Sequence, residues 1–268
     1  MAWTNTLTVF TKPWKMDSLE KLAERIAGFG FQGVELPVRD GYQVNPGNYR
    51  EALAKAAAAL GSRKLIIESV AGPIDADLIK VMGQNGVKIL RIMLGADPKK
   101  NYIEQEEAYY RTVSELLPVL ESNRVILGIQ NHVGNFIGCD AAGLMRFVGR
   151  FPKAQVAAVL DLAHCALTGE ITEFALDIAA SHLAMVNIKS GSRRRANNEN
   201  AAEAEWKIVW TTGRHGVLSW KLAANELRRR NYTGPICLTA EYSGKEKALE
   251  EEDSAALIKE DIAYWNSL

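Results

Sequence analysis

VILGIQNHVG, residues 125–134, is an apolar run that ends in three consecutive polar residues, Gln130, Asn131 and His132. Short runs of Val, Ile and Leu without polar alternation are typical of parallel strands that are buried on both faces. Polar side chains placed directly after such a strand are typical of a binding or catalytic loop on a rigid scaffold. The segment therefore predicts a core strand that leads into a functional site.

Similar apolar runs recur along the whole chain, with amphipathic helical patterns between them. The other seven runs are Leu7–Phe10, Gly33–Leu36, Lys64–Val70, Val87–Leu94, Val156–Leu160, Leu183–Ile188 and Ile236–Ala240. DSLEKLAERIAGFG, residues 17–30, shows a helical pattern, with Asp17 and Ser18 as candidate caps and Gly28 and Gly30 at its end. The last helical pattern, KEKALEEEDSAALIKEDIAYW, spans residues 245–265.

Eight strand–helix units in a chain of 268 residues predict a (β/α)8 TIM barrel. A doubly wound open sheet is the alternative, although no G-x-G-x-x-G motif follows the first run. No linker-like stretch interrupts the pattern, so we expect one domain over residues 1–268. The polar segment GSRRRANNENAAEAE, residues 191–205, predicts a long loop that is either functional or disordered.

The composition restricts the partners that we expect. The chain has 32 basic and 32 acidic residues and a formal net charge of zero, which argues against nucleic-acid binding. No apolar run approaches the length of a membrane span, and the first residues do not resemble a signal peptide. The three cysteines show no paired spacing, which indicates a reducing compartment. We therefore expect a cytoplasmic protein that acts on a small molecule.

Polar residues cluster where the predicted strands end, which is where the active sites of such barrels lie. They are Lys12, Glu35, Arg39, Glu68, Ser69, Arg91, Gln130, Asn131, His132, Asp161, His164, Asn187, Lys189 and Glu241. Strand side chains alternate, so Gln130 and His132 share a face, as do Asn187 and Lys189. Carboxylates, imidazoles and an ammonium in one place are suited to proton transfer beside a carbonyl group.

Several of these residues also have purely structural interpretations. Glu35 and Arg91 could pair across the barrel, His164 could cap a helix, and Lys189 could lie on the rim with its head in water. Arg39, Arg91, Lys12 and the arginines 193–195 could hold a phosphate or a carboxylate, or could be structural. Trp206 and Trp210 favour packing over a substrate platform. Glu241 is harder to explain structurally, because an acid that ends a buried run is costly unless it is paired.

Five motifs resemble, in order and spacing, the sugar isomerase/epimerase superfamily with a xylose isomerase-like TIM barrel. They are FGFQGVEL at 29–36, NHVG at 131–134, DLAHCALTGE at 161–170, NIKSG at 187–191 and NYTGPICLTAEY at 231–242. The resemblance covers essentially the full chain. It implies the barrel fold, a small sugar or sugar-derived substrate and often a divalent metal, and barrels of this family often form homodimers.

The resemblance also implies a metal site that this chain carries in altered form. The family's Glu, Asp, His and Glu ligands correspond to Gln130, Asp161, Asn187 and Glu241. Amide oxygens are weaker ligands for hard cations than carboxylates, so we expect Mg²⁺ or Mn²⁺ to be held weakly or not at all.

Two classes of function stay open. The first is an isomerase or epimerase that abstracts a proton beside the carbonyl of a keto-sugar, a polyol-derived ketone or a sugar acid. In it, Glu241 is the base, and Lys189 acts with His132 or His164 on the enediolate oxygen. Gln130, Asn131, Arg91, Glu68 and Arg39 are the expected substrate contacts. Partial burial of Lys189 predicts a lowered pKa.

The second class is a non-catalytic relative or a lyase subunit.

Overall fold

The computed structural model describes residues 4–244 and 251–268. Its centre is a closed barrel of eight parallel strands, in which each strand pairs with its neighbours in sequence and the last strand pairs with the first. The strands are β1 Leu7–Phe10, β2 Gly33–Pro37, β3 Ile66–Ala71, β4 Ile89–Ile92, β5 Ile126–Gln130, β6 Val156–Asp161, β7 Leu183–Ile188 and β8 Ile236–Leu238. The predicted TIM barrel is confirmed, and the open sheet is excluded because the β1–β8 pairing leaves no edge.

Helices surround the barrel and connect its strands. They are α1 Leu19–Phe29, α2 Tyr49–Gly61, α3 Ala76–Gln84, α4 Tyr102–Asn123, α5 Ala141–Val148, α6 Leu162–Thr168, α7 Thr172–Ala179, α8 Trp220–Arg229 and α9 Glu251–Ser267. Residues 245–250 of the last predicted helical pattern lie outside the described residues. Within the described part of the chain, no helix is both long and apolar enough to span a bilayer.

Helix α1 illustrates how local sequence sets these elements. The Ser18 side chain accepts a hydrogen bond from the Lys21 backbone N–H, which caps the first turn. Leu22 and Ile26 are fully buried against the barrel. The helix runs through Gly28 and ends before Gly30, whose φ of 88° closes it in the left-handed conformation.

The core has two layers, one on each side of the strands. Inside the barrel, a small apolar cluster comprises Phe10, Ala71, Ile89, Val159, Met185 and Cys237. A much larger cluster fills the space between the strands and the helices. The interior cluster plugs the barrel below its C-terminal mouth, so that polar groups from the strand ends meet above an apolar floor.

The polar segment after β7 is partly a loop, as predicted, and partly a hairpin strand. Ser190–Arg195 pairs with Trp206–Thr211 in an antiparallel hairpin, and residues 196–205 connect the two strands. Arg195 donates hydrogen bonds to Asn197 and to the Ala201 carbonyl, within the hairpin itself. The triple arginine therefore belongs to the hairpin and does not line the cavity described below.

We predict that Gly128→Ala destabilises the barrel. A Cβ atom at position 128 would lie 2.6 Å from the Val159 side chain and 3.0 Å from Ile89, inside the filled barrel. Overpacking of this kind should lower the free energy of unfolding in urea by about 1–3 kcal/mol.

The matched control is Gly28→Ala at an exposed position of α1, where nothing lies within 4 Å of the new Cβ atom. It should raise the stability by about 0.5–1 kcal/mol. Equal effects of the two substitutions would contradict this packing.

Candidate active site at the C-terminal mouth

A small cavity of about 100 Å³ lies at the C-terminal mouth of the barrel. It is lined by Phe10, Lys12, Arg39, Arg91, Met93, Gln130, His132, Asn187, Lys189, Thr239 and Glu241. Every one of these residues ends a barrel strand or follows it closely. The structure thus brings together most of the polar residues that the sequence places at strand ends.

Lys189 lies at the centre of the site, between two carboxylates. Its ammonium nitrogen is 3.3 Å from Asp161 Oδ2 and 3.0 Å from Glu241 Oε2. Lys12 contacts the other oxygen of Glu241 at 2.7 Å. Lys189 is only 6% exposed, which excludes a position on the rim with its head in water. The Trp210 ring covers the ammonium, with its centre 4.3 Å away.

Arg91 and Gln130 extend this arrangement across the barrel. Arg91 binds both oxygens of Glu35, at 2.7 and 2.8 Å, so the structural interpretation of this pair is correct. Its remaining terminal nitrogen donates to Gln130 Oε1 at 2.6 Å, and Gln130 Nε2 donates to Asp161 Oδ2 at 3.2 Å. An amide meets both demands because it accepts at one end and donates at the other. Glutamate at position 130 would instead place a second carboxylate beside Asp161.

These contacts form one alternating network that crosses the mouth. In order, it consists of Glu35, Arg91, Gln130, Asp161, Lys189, Glu241 and Lys12. Anions and cations alternate along it, with the neutral amide between Arg91 and Asp161. Buried charges are tolerated when each has an opposite partner and satisfied hydrogen bonds, and this network provides both.

The network sets the protonation states of its members. Burial opposes the charged form of Lys189, but Asp161 and Glu241 outweigh it and raise the pKa of the ammonium. The expected lowering of the Lys189 pKa is therefore wrong, because the two acidic side chains beside the buried ammonium raise its pKa by more than burial lowers it. Burial also opposes the charge on Glu241, yet Lys189 and Lys12 hold the pKa of this carboxyl well below its usual range. Glu241 is consequently a weak base in the free protein.

Two histidines stack beside the cavity. The rings of His132 and His164 lie 4.0 Å apart, and the edge of His164 meets Trp210 at 5.4 Å. Burial lowers the pKa of both imidazoles, and the nearby Lys189 lowers it further, so both are neutral at pH 7. His132 Nδ1 lies 2.8 Å from the Val133 carbonyl oxygen, which can only accept. The proton is therefore on Nδ1, and the Nε2 lone pair of His132 accepts no hydrogen bond from any residue that the structure describes.

His164 lies in the first turn of α6, directly behind the cavity. Asp161 caps this helix, since its Oδ1 accepts from the backbone N–H groups of Ala163 and His164. The imidazole is fully buried, and neither of its nitrogens has a hydrogen-bond partner among the described residues. The structure thus places His164 against His132 rather than in the cavity lining.

Two predicted substrate contacts lie elsewhere. Asn131 points away from the cavity, because it alternates with Gln130 and His132. It bonds to the backbone of Asp161 through both ends of its amide, at 2.7 and 3.1 Å, and so positions that strand end. Glu68 is only the third residue of β3, and the titratable groups near it, Lys88 and Tyr232, precede β4 and β8. It is therefore near the opposite end of the barrel.

Some lining residues escaped the sequence interpretation. Thr239, which the sequence did not single out, lines the cavity together with Asn187, which it did. Their side-chain oxygens, Thr239 Oγ1 and Asn187 Oδ1, are buried and have no hydrogen-bond partner among the described residues. Ala240, which lies between Thr239 and Glu241, has a φ of 51°. This left-handed conformation is costly for a residue with a Cβ atom, and such strain is typical of functional sites. Trp210 contacts the site from a hairpin that no local pattern predicted.

Comparison with known proteins agrees with this architecture. The chain matches the xylose isomerase-like TIM barrel family over residues 23–268 and belongs to it. Similar structures include 3-keto-D-glucoside 4-epimerase from E. coli, with 14% identity and a TM-score of 0.72 over 98% of this chain and 100% of that one. D-Psicose 3-epimerase from Clostridium cellulolyticum H10 has the same identity and TM-score, over 98% of each chain.

A third similar structure contains a metal. A xylose isomerase-like TIM barrel protein from Mycobacterium smegmatis in complex with magnesium shares 13% identity, with a TM-score of 0.70 over 98% of this chain and 96% of that one. At these identities, the likeness shows the fold alone. No curated protein matches the chain.

The residues at the corresponding positions do not fit a divalent cation. Lys189 already contacts both carboxylates of the expected set, and a cation placed between them would meet its ammonium. Gln130 Oε1 is engaged by Arg91, which leaves Asn187 Oδ1 as the free oxygen of that set. No group of three or more His, Cys, Asp or Glu side chains within residues 4–244 and 251–268 is arranged to hold a metal.

We predict that Gln130→Glu destabilises the protein in a pH-dependent way. The new carboxylate would lie next to Asp161, and the repulsion should lower the free energy of unfolding by about 1–3 kcal/mol at pH 8. The repulsion raises the folded-state pKa of the new acid pair, so protonation relieves it, and the deficit relative to wild type should shrink as the pH falls towards 5. Gln130→Met, which adds no charge, is the control and should show a deficit that does not vary with pH. A pH-independent deficit for Gln130→Glu would contradict the repulsion.

We also predict that Lys189→Met creates affinity for Mn²⁺. The wild type should show no binding by calorimetry up to about 1 mM Mn²⁺, because the ammonium occupies the position between the two carboxylates. Removal of the ammonium leaves that position open beside Asp161, Glu241 and the Asn187 oxygen, so binding should appear below about 1 mM. Lys12→Met, which removes a cation from the partly exposed side of Glu241, is the matched control and should give a smaller gain. Tight Mn²⁺ binding by the wild type would refute the argument.

Proposed function

We propose that this protein is a sugar isomerase/epimerase-type enzyme that abstracts a proton beside the carbonyl group of a small sugar-derived substrate. The observation that carries the proposal is the pairing, in one cavity, of a buried ammonium on Lys189 with a free imidazole lone pair on His132. An electrophile and a base of this kind are what enolisation requires. Two proteins with a similar fold are sugar epimerases, and the proposal assigns this chain to the same class of chemistry.

Lys189 acts as the electrophile in this proposal. An ammonium has three N–H donors, of which Asp161 and Glu241 take two, so one remains for the carbonyl oxygen of the substrate. Negative charge develops on that oxygen when the neighbouring C–H bond breaks. A cation that is already fixed and desolvated stabilises this charge without reorganisation. The raised pKa of Lys189 keeps it charged throughout the pH range in which sugars are stable.

His132 acts as the base. Its proton lies on Nδ1, where Val133 accepts it, and this leaves Nε2 to take a proton from carbon. Burial lowers its pKa, so the imidazole stays unprotonated at neutral pH. The imidazolium that forms then gives its proton to the former carbonyl carbon, and the hydroxyl proton of the enediol passes to the former carbonyl oxygen, which moves the carbonyl group by one carbon. Glu241 is assigned a different role from the one the sequence suggested, because its paired carboxylate holds Lys189 in place.

Asn187 and Thr239 complete the proposed site as contacts for substrate hydroxyl groups. A buried polar oxygen without a partner is costly, and a ligand hydroxyl would satisfy it. Two such oxygens in one cavity therefore favour a polyhydroxylated ligand. With a volume of about 100 Å³, the cavity is small, which is consistent with a compact substrate.

The test is proton–deuterium exchange in D2O with a panel of keto-sugars, inososes and sugar acids, in the presence of a chelator. We expect at least one compound to exchange the hydrogen beside its carbonyl group. His132→Gln and Lys189→Met should each lower the rate by at least about 100-fold, and the double variant should lose little more than the worse single variant. His182→Gln, which removes a histidine that precedes β7, should leave the rate unchanged.

The pH dependence provides a further criterion. His132 is faced by His164, Lys189, Arg91 and Glu241, and its lowered pKa means that it becomes protonated only in more acidic solution than an ordinary histidine. The exchange rate should therefore be constant above about pH 6.5 and fall below it. A panel without any exchange would refute the proposed function. Near-normal exchange by His132→Gln would refute only the choice of base.

A further inference from the structure

Arg39 lines the same cavity but stands outside the alternating network. It follows β2, and its guanidinium carbon lies 5.5 Å from the centre of the Phe10 ring. Arg91 contacts the same ring at 4.9 Å, so two guanidinium groups share one aromatic side chain. Arg91 is satisfied by Glu35 and Gln130, whereas the Arg39 side chain has neither a hydrogen bond nor an ion pair with any residue that the structure describes.

The charges of the site leave Arg39 uncompensated. Every carboxylate in the network, Glu35, Asp161 and Glu241, already pairs with Arg91, Lys189 or Lys12. These charges cancel, because the three carboxylates pair with three cations. Arg39 therefore adds one positive charge to a cavity whose other lining residues are neutral or already paired.

This environment is unfavourable for a lone cation. Arg39 is half-buried, and burial, followed by repulsion from Arg91, lowers its pKa. A surface arginine would avoid this cost by extending into water. A charged group that is held without a partner in a cleft is typical of a ligand-binding position, because a ligand of opposite charge removes the cost.

A second cavity adjoins the first and shares Arg39. Its volume is about 210 Å³, and its remaining lining consists of Gly72, Pro73, Ile74, Arg91, Ile92 and Met93. Arg39, Arg91 and Met93 line both cavities, so the guanidinium of Arg39 lies where they meet. A ligand with its carbonyl group at Lys189 can therefore extend towards Arg39 with its other end.

We propose that the substrate is a sugar acid, and that Arg39 binds its carboxylate while Lys189 and His132 act on the carbonyl end. This inference rests on the proposed function and narrows its substrate class from sugars in general to keto-sugars that carry one carboxylate. A guanidinium and a carboxylate can form two parallel hydrogen bonds, which also fixes the orientation of the ligand.

A carboxylate fits this position better than a phosphate ester. One unpaired guanidinium supplies one positive charge, which a carboxylate neutralises. A phosphate ester carries nearly two negative charges at pH 7 and usually has several cationic or backbone donors around it. The walls beside Arg39 in the second cavity are mainly apolar, with Pro73, Ile74 and Met93, and offer no further cation besides the paired Arg91.

The test is a binding measurement that does not depend on turnover. Calorimetric titrations with 5-keto-D-gluconate, 2-keto-D-gluconate and D-glucuronate would be compared with D-fructose, D-sorbose, D-glucose and D-fructose 6-phosphate, each up to about 50 mM. We expect at least one acid to bind at least about tenfold more tightly than any of the neutral sugars or the phosphate ester. Arg39→Gln should abolish that difference, and Arg39→Lys should retain part of it.

The matched control is Arg194→Gln, which removes the same charge from an exposed position on the hairpin and should leave the affinity unchanged. The proposal is overturned if no acid binds, if neutral sugars or the phosphate ester bind as tightly as the acids, or if Arg39→Gln keeps the preference. Failure of the proposed function would look different: acids would bind through Arg39, yet no compound in the panel would exchange its hydrogen. Conversely, if only neutral sugars exchange their hydrogen, the sugar-acid substrate is refuted and the proposed isomerase/epimerase-type function stands.

Discussion

The ammonium of Lys189, held between Asp161 and Glu241, is the interaction on which the rest of the site depends. A buried ammonium can remain charged in a nearly dry mouth only because carboxyl groups lie on both sides of it. This arrangement keeps the lysine charged and makes Glu241 a poor base. In the proposed function the base is therefore a neutral histidine, and His132 is the histidine that lines the cavity.

The same requirement explains Gln130. Between the guanidinium of Arg91 and the carboxylate of Asp161, only a side chain that accepts at one end and donates at the other satisfies both neighbours. A glutamate there would add an anion to a network that is already balanced. The Gln130 amide, which makes the site less like the family's metal site, therefore links Arg91 to Asp161 in the alternating network.

Similar backbones can thus support different solutions to one chemical problem. An enolate oxygen needs positive charge close to it, and a metal ion or a fixed ammonium can supply that charge. A metal requires its ligands to be free, whereas the ammonium here uses the carboxylates as its own partners. A metal ion and the ammonium cannot both occupy the position between the two carboxylates. A shared fold therefore does not imply a shared cofactor.

The sequence by itself determined the barrel, because eight apolar runs with helical patterns between them record burial on both faces of each strand. It also placed most of the cavity residues at strand ends, since that position follows from the order of elements. It could not determine which side chains meet. Asn131 follows Gln130 directly but faces elsewhere, and Glu68 lies near the opposite end of the barrel. Thr239 and Trp210 join the site from a strained turn and a hairpin. Those contacts, and the protonation states that follow from them, depend on distances of a few ångströms that exist only once the barrel has closed.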